Sequence, residues 1–337
     1  MSVLREAVPG STLLSGERAS RIQIRFVAIW VAFLVLILLS AVVAPRSLLP
    51  STFLAILPLA AFLTITACGE ALVLMSRSID LSIPAVISLS STILLGWSRG
   101  REEDMLIAIV AALVFAVAVG LVSGFFVAVL RLNSLIVTLA VAAIVSGMTL
   151  WYRESLPAES RVPEALADAG GARFLWLNLS VWVAIVLVAA LAVVLRKTTV
   201  GRRFTAVGAN PRAAWIAGIN ITAYQIAAFA VAGFLYGVAG ILLSAFIRNP
   251  TLGVGEPYLL APIAAAVLGG TAITGGVGSM VAVAGASLFL THLGQMLKML
   301  GLSSAFQFVI YGLAIALGMA LAESRLTRWL STLTGRR

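Results

Sequence analysis

The chain has 337 residues, 61% of them hydrophobic and 11% charged, with a formal net charge of +10. A soluble chain draws about a quarter of its residues from the charged set, so this composition excludes a soluble enzyme or regulator and leaves a polytopic membrane protein with no second, soluble domain. The arginines sit at the ends of apolar runs without interleaved aromatics, which excludes a nucleic-acid surface and assigns the excess charge to membrane orientation.

Residues 1–25 are polar and basic and lack the short apolar core and small-residue cleavage site of a removable signal, so they read as a cytoplasmic N-terminal segment. Runs long enough to cross about 30 Å of hydrocarbon then follow. They lie near 26–44, 53–75, 84–98, 105–130, 134–151, 176–195, 220–247, 257–270, 279–296 and 304–322, with a cytoplasmic tail at 323–337. The expected fold is all-α, a bundle of about ten transmembrane helices over 26–322, several of them short or interrupted. Cys68 is the single cysteine and lies in an apolar run, so neither a disulfide nor a metal-ligand set is expected. His292 has no partner at ligand spacing and reads as an interfacial histidine.

Most of the 23 lysines and arginines fall in the segments that share a side with the N terminus, among them Arg18, Arg77, Arg131, Arg202 and Arg325. The positive-inside rule therefore favours both termini in the cytoplasm, and with them the segment 198–220. Residues 152–175, with mixed charges and two prolines, form the one long external connection, either a docking surface or a solvated loop.

Two interruptions stand out. Between spans 2 and 3 the chain reads S-R-S-I-D-L-S-I-P from Ser76 to Pro84. An ionisable pair and a proline mean that the backbone leaves the helix there, which at membrane depth is tolerated only beside buried protein or a water-filled cavity. Asp80 and Ser82 would cap span 3; direct substrate contact and a simple loop are the alternatives. Glu70 in span 2 faces either the bundle interior or the surface. Asn133 is a cap for span 5, and Thr138 is either a pathway hydroxyl or an intrahelical one. The second interruption, Gly269 to Ser279, carries Gly269, Gly270, Thr271, Gly275 and Gly276, letting a span break and restart or backbones approach closely. No Lys-Ser or Lys-Thr follows the glycines, so it is not a nucleotide-binding loop. Shifting the first part of the chain by about 194 residues aligns the two interruptions, and an inverted repeat fits ten helices equally well.

The longest basic interruption runs from Thr198 to Ile221, T-T-V-G-R-R-F-T-A-V-G-A-N-P-R-A-A-W-I-A-G-I-N-I. Charged residues there each cost roughly 2.5 to 3.5 kcal/mol in hydrocarbon, so the segment lies outside it. Asn210 would cap a short helix over Arg212 to Ala217, with Pro211 in its first turn and Gly218 ending it. An ordinary loop whose arginines fix orientation is the alternative.

Four stretches in order resemble the permease subunits of bacterial ATP-binding cassette importers of the ribose, xylose and galactose class. Gly201, Arg202, Ala206, Gly208, Asn210, Ala213, Ala214, Gly218 and Ile219 match that family's coupling-helix signature position by position. Ile79-Asp80-Leu81-Ser82 resembles its I-D-L-S motif, although Arg77, Ser78 and Pro84 replace family glycines and Arg77 is free to pair with Asp80. Asn133 to Leu139 resembles its N-x-x-I-x-T-L, and Gly269 to Ser279 its glycine element. The resemblance implies a coupling segment that docks on a separate ATPase, and a translocation pathway or gate around Asp80, Ser82, Asn133, Thr138, Gly269, Gly270, Thr271, Gly275 and Gly276. It also implies a second permease subunit, a periplasmic substrate-binding protein, an inner-membrane location, and ATP and Mg on the partner ATPase, with no cofactor on this chain. A sugar is the implied cargo; a branched-chain amino acid, a nucleoside, a sugar-like signal molecule or an ATP-independent secondary transporter is the alternative.

Overall fold

The computed structural model describes residues 11–157, 160–303 and 305–322. The first residues of the expected N-terminal segment and the whole 323–337 tail lie outside the described residues. Each expected span corresponds to a helix: α1 (Ser11–Val43), α2 (Pro50–Met75), α3 (Ile83–Ser98), α4 (Met105–Ala128), α5 (Ser134–Glu154), α7 (Leu179–Lys197), α10 (Ile221–Ile247), α11 (Ala261–Leu268), α12 (Met280–Met299) and α13 (Ala305–Ala322). Between them lie α6 (Glu164–Gly171), α8 (Thr199–Ala209) and α9 (Pro211–Ile216). Seven helices among the described residues are long and apolar enough to cross a membrane alone. The fold is an all-α polytopic bundle.

Burial separates the axis from the rim. In α2 and α10, 67% of the span is buried, against 17% in α1 and 11% in α7, so α2 and α10 form the centre while α1 and α7 turn most of their surface outward from the bundle. Apolar area gives no drive between helices already in hydrocarbon, and close van der Waals packing takes its place. Along α4 and α10 small residues serve this: a Cβ at Gly120 would overlap the Phe229 carbonyl, and one at Gly233 the Ala116 carbonyl, so the two backbones nearly touch.

The short helices are short for a reason. At about 1.5 Å per residue, α3 with 16 residues spans only about 24 Å. It starts deep, because the chain after Met75 turns back along α2 until the Asp80 amide reaches Glu70. From the opposite end of the bundle, the α10–α11 connection descends to meet it. The Gly255 amide donates to Ser88 Oγ at 3.2 Å, and a Cβ at Gly255 would overlap the Pro84 carbonyl. The eight-residue α11 then completes the crossing.

Three expectations are corrected. Of the two readings of residues 152–175 the simple solvated loop is set aside for the described residues from Glu164 on: α6 lays Leu166 and Ala167 into a cluster with Ile93, Ala108 and Ile241, Arg248 pairs with Asp168 at 2.7 Å, and the two-residue strands β1 (Arg173–Phe174) and β2 (Leu177–Asn178) form a hairpin. That hairpin takes up Trp176, so the sixth span begins at Leu179 rather than 176. His292 is buried, not interfacial; its Nε2 lies 3.0 Å from Ser40 Oγ, between the rings of Phe33 and Phe53.

Candidate functional site

The first break is held by side chains. Helix α2 ends in a Schellman motif, with the Ser78 amide donating to the Val73 carbonyl and the Arg77 amide to that of Leu74. The residue after the cap must then be left-handed, and Arg77 stands there at φ +68°. Beyond it, the Ile79 amide donates to Ser134 Oγ at 3.2 Å and the Leu81 amide to Thr138 Oγ1 at 3.0 Å, which ties the break to the first turn of α5. Thr138 also donates to the Ser134 carbonyl at 2.9 Å, the intrahelical bond expected of it. Asn133 caps α5 by accepting from the Leu135 amide at 2.9 Å. Asp80 does not cap α3 as expected. Its Oδ1 accepts from the amide and hydroxyl of Ser82, at 2.8 and 2.6 Å, and Ser82 makes no side-chain capping bond, so the carboxylate rigidifies its own turn.

Glu70 faces the interior and is fully buried, accepting from the Asp80 amide and, at 3.3 Å, from the Tyr236 hydroxyl. A Cβ at position 69 would meet the Tyr236 ring at 2.7 Å, so Gly69 makes the space through which α10 reaches this carboxyl.

The second break is held by backbone. Helix α11 ends in the same Schellman motif, Thr271 amide to Ala266 carbonyl and Gly270 amide to Val267 carbonyl, with Gly270 at φ +82°. A tight turn over 272–277 follows, closed by the Ala272 amide on the Val277 carbonyl. Gly275 and Gly276, both left-handed, press against the C terminus of α8.

The two breaks meet there. The Gly276 amide donates to the Met75 carbonyl at 2.9 Å. A Cβ on Gly208 would overlap that same carbonyl oxygen and the backbone of Gly276, so three chain segments touch with no side chain between them. Arg77 does not pair with Asp80. Its Nε donates to the Gly208 carbonyl at 2.6 Å and its second guanidinium nitrogen to the Ala209 carbonyl at 2.7 Å, placing a cation on the orphan carbonyls at the negative end of α8.

The basic segment is therefore two helices, where the sequence suggests one. Thr198 caps α8 by accepting from the Gly201 amide at 3.1 Å, and a Cβ at Gly201 would overlap the backbone of Val194 and Leu195, seating α8 on the end of α7. Asn210 caps α9 as expected, accepting from the Ala213 amide at 3.1 Å, and Gly218 ends it at φ +74°. Ala214 is buried while Arg202, Ala206 and Ala213 face outward. Two outward residues were not read from the sequence: Trp215 and Ile216, 72% and 79% exposed. An adjacent aromatic and β-branched pair inside a basic loop was the available signal.

Of the expected pathway residues, Asn133 lines a cleft of about 800 Å³ together with Arg77, Arg131, Trp215 and Gln225. Asp80, Ser82, Thr138 and Thr271 are buried, and Gly269 lets its backbone approach Val283 of α12.

Against known proteins, residues 52–319 match the family described as branched-chain amino acid transport system / permease component. The chain is 32% identical over 301 residues to the ribose import permease protein RbsC of Escherichia coli (strain K12), covering 88% of this chain and 92% of the relative. It is 30% identical over 292 residues to the RbsC of Bacillus subtilis (strain 168), covering 86% and 90%. It is 29% identical over 295 residues to the L-arabinose ABC transporter permease protein AraH of Azospirillum brasilense, covering 87% and 86%. No solved structure matches.

Proposed function

This chain belongs to the branched-chain amino acid transport system / permease component family, and from that premise we propose that it is the membrane-spanning permease subunit of an ATP-binding cassette importer for a sugar. It is a transport subunit, not an enzyme. The α8–α9 segment lies on the cytoplasmic side with both termini and docks on a separate ATPase, which holds the ATP and Mg. A second permease subunit completes the membrane part, and a periplasmic binding protein delivers the cargo to the opposite face. The ribose and arabinose relatives support a monosaccharide; a relative named as an autoinducer 2 import system permease, 30% identical over 272 residues, supports a sugar-like signal as the second reading.

The observation that carries the coupling role is the contrast between the two sides of one short segment. Its inner side, Gly208, is locked backbone to backbone onto both broken helices, while its outer side offers Trp215 and Ile216 on the short helix that also carries the exposed Arg212. A force on α9 is thereby delivered to the two places where the transmembrane helices are discontinuous. Alternating access needs two packings that differ by a few kcal/mol, and the docked ATPase biases them through its differential contacts.

Trp215→Asp and Arg202→Glu test this in cells carrying the complete importer. Loss of an exposed aromatic anchor costs about 2 kcal/mol or more at an interface, roughly thirtyfold in affinity. ATPase co-purification and sugar uptake should both fall while the chain inserts in the membrane at the wild-type level. Undiminished uptake and co-purification in both variants would refute the docking role.

A further inference from the structure

At the end of the bundle away from the coupling segment lies a second cavity, of about 290 Å³, between α2, α10, α11, α12 and α13. Its depth follows from topology. Ile56 and Leu59 belong to the half of α2 far from Met75 and Leu63 to its middle, and Leu290 to Lys298 belong to the half of α12 far from the glycine turn. Its floor is the descending 254–258 connection that rests on Ser88 and Pro84 of the broken helix. We infer that this cavity is a monosaccharide subsite, in which Tyr258, Tyr311, Gln295 and Gln307 receive the cargo on the outward side; the inference rests on the sugar-import reading above.

The lining carries this. Tyr258 and Tyr311 come from different elements and pack their rings against the apolar core, so each offers a flat apolar face with a hydroxyl at its edge. Gln307 donates to the Gly294 carbonyl at 3.2 Å, which fixes its amide and leaves its oxygen as an acceptor. The hydroxyls of Tyr258, Tyr311 and Thr291 and the amide of Gln295 add neutral donors and acceptors to this half-buried wall. A sugar ring has the complementary surface: an apolar C–H face and a rim of hydroxyls that both donate and accept.

The lining also disfavours the charged alternatives. It contains no carboxylate, so the ammonium of an amino acid has no counter-ion there, and its single cation, Lys298, is exposed at the mouth. The volume falls just below the range of about 300 to 1,000 Å³ typical of pockets for drug-sized ligands, which suits one sugar ring rather than an oligosaccharide.

The test uses the complete importer in cells and compares uptake of radiolabelled D-ribose, L-arabinose and 2-deoxy-D-ribose by the wild type, Gln295→Leu and the isosteric Tyr311→Phe. Deleting one neutral hydrogen bond should slow import of the preferred pentose by about three- to tenfold, with ATPase co-purification and membrane level unchanged. A site built to bond a hydroxyl rejects the analogue that lacks it. One or both variants should therefore lose part of the preference for ribose over 2-deoxyribose, a change that loss of packing alone would not produce. Wild-type rates and preference in both variants would overturn the subsite and leave the import reading standing. A wild-type importer that moves none of the three sugars would overturn the pentose form of the import reading and the subsite with it.

Discussion

Helices α2 and α11 stop with the same hydrogen-bonded motif, at the same end of the bundle, yet from different materials. At the left-handed position α11 has glycine and α2 has Arg77. After it, the α2–α3 break is pinned by a set of side chains: Asp80 on Ser82, Ser134 and Thr138 on the Ile79 and Leu81 amides, and Glu70 on the Asp80 amide. The α11–α12 break has backbone where the other has side chains, and Gly275 and Gly276 lie directly on α8. The difference is one of tolerance. A break held by several side-chain bonds weakens by one bond at a time, whereas a contact between backbones at van der Waals distance has no room for even a methyl group.

The largest effect is expected where the two constructions meet. Gly208→Ala puts a Cβ into the Met75 carbonyl and the Gly276 backbone, so α8 must move off the breaks. Overpacking of this kind costs about 1–3 kcal/mol, and here it also threatens the Gly276–Met75 hydrogen bond. Uptake should drop by about fivefold or more by the same figure, and the thermal unfolding midpoint of the detergent-solubilised chain should fall. Wild-type transport by Gly208→Ala would remove the tight junction from the account.

Thr138→Val is the matching challenge to the side-chain-held break. It keeps the shape of the residue and leaves the half-buried Leu81 amide without its acceptor, a loss of about 1 kcal/mol. Thr138→Ser should recover most of it. Because Ser134, Glu70 and Asp80 still hold the break, transport should suffer less in Thr138→Val than in Gly208→Ala. The reverse order, measured as uptake at equal membrane level, would break the comparison.

How much of this was legible in the sequence follows the same division. Spans were readable because hydrocarbon demands long apolar runs, and caps such as Asn133 and Asn210 because the residue type and the following turn suffice to name them. What went unread depends on depth and on partners distant in the chain. Nothing local to Pro84 says that α3 begins within the bundle or that Gly255 comes down to meet it. Asp80 reads as a cap for α3 because its spacing fits, but the descent of the break turns its carboxylate onto Ser82. Arg77 beside an aspartate reads as an ion pair, while the folded chain offers it the end of a helix 131 residues away. The connection over 152–175 looked like a loop because its short amphipathic helix is only eight residues long.

Arg77 offers the finest test, because two opposed effects sit on one residue. Its guanidinium bonds to α8 are charge-assisted but largely exposed, so after screening they are worth about 1 kcal/mol. Its backbone, at φ +68°, costs a residue with a Cβ about 1 kcal/mol relative to glycine. Arg77→Ala loses the bonds and keeps the strain, and should destabilise by about 1 kcal/mol. Arg77→Gly loses the bonds and relieves the strain, so its stability should lie within a few tenths of a kcal/mol of the parent. Both variants should import more slowly than the parent, since in both the tie between α8 and the first break is gone. Equal unfolding midpoints for the two would mean that the left-handed turn holds no strain, and the resemblance between the two helix ends would then be one of hydrogen bonding alone.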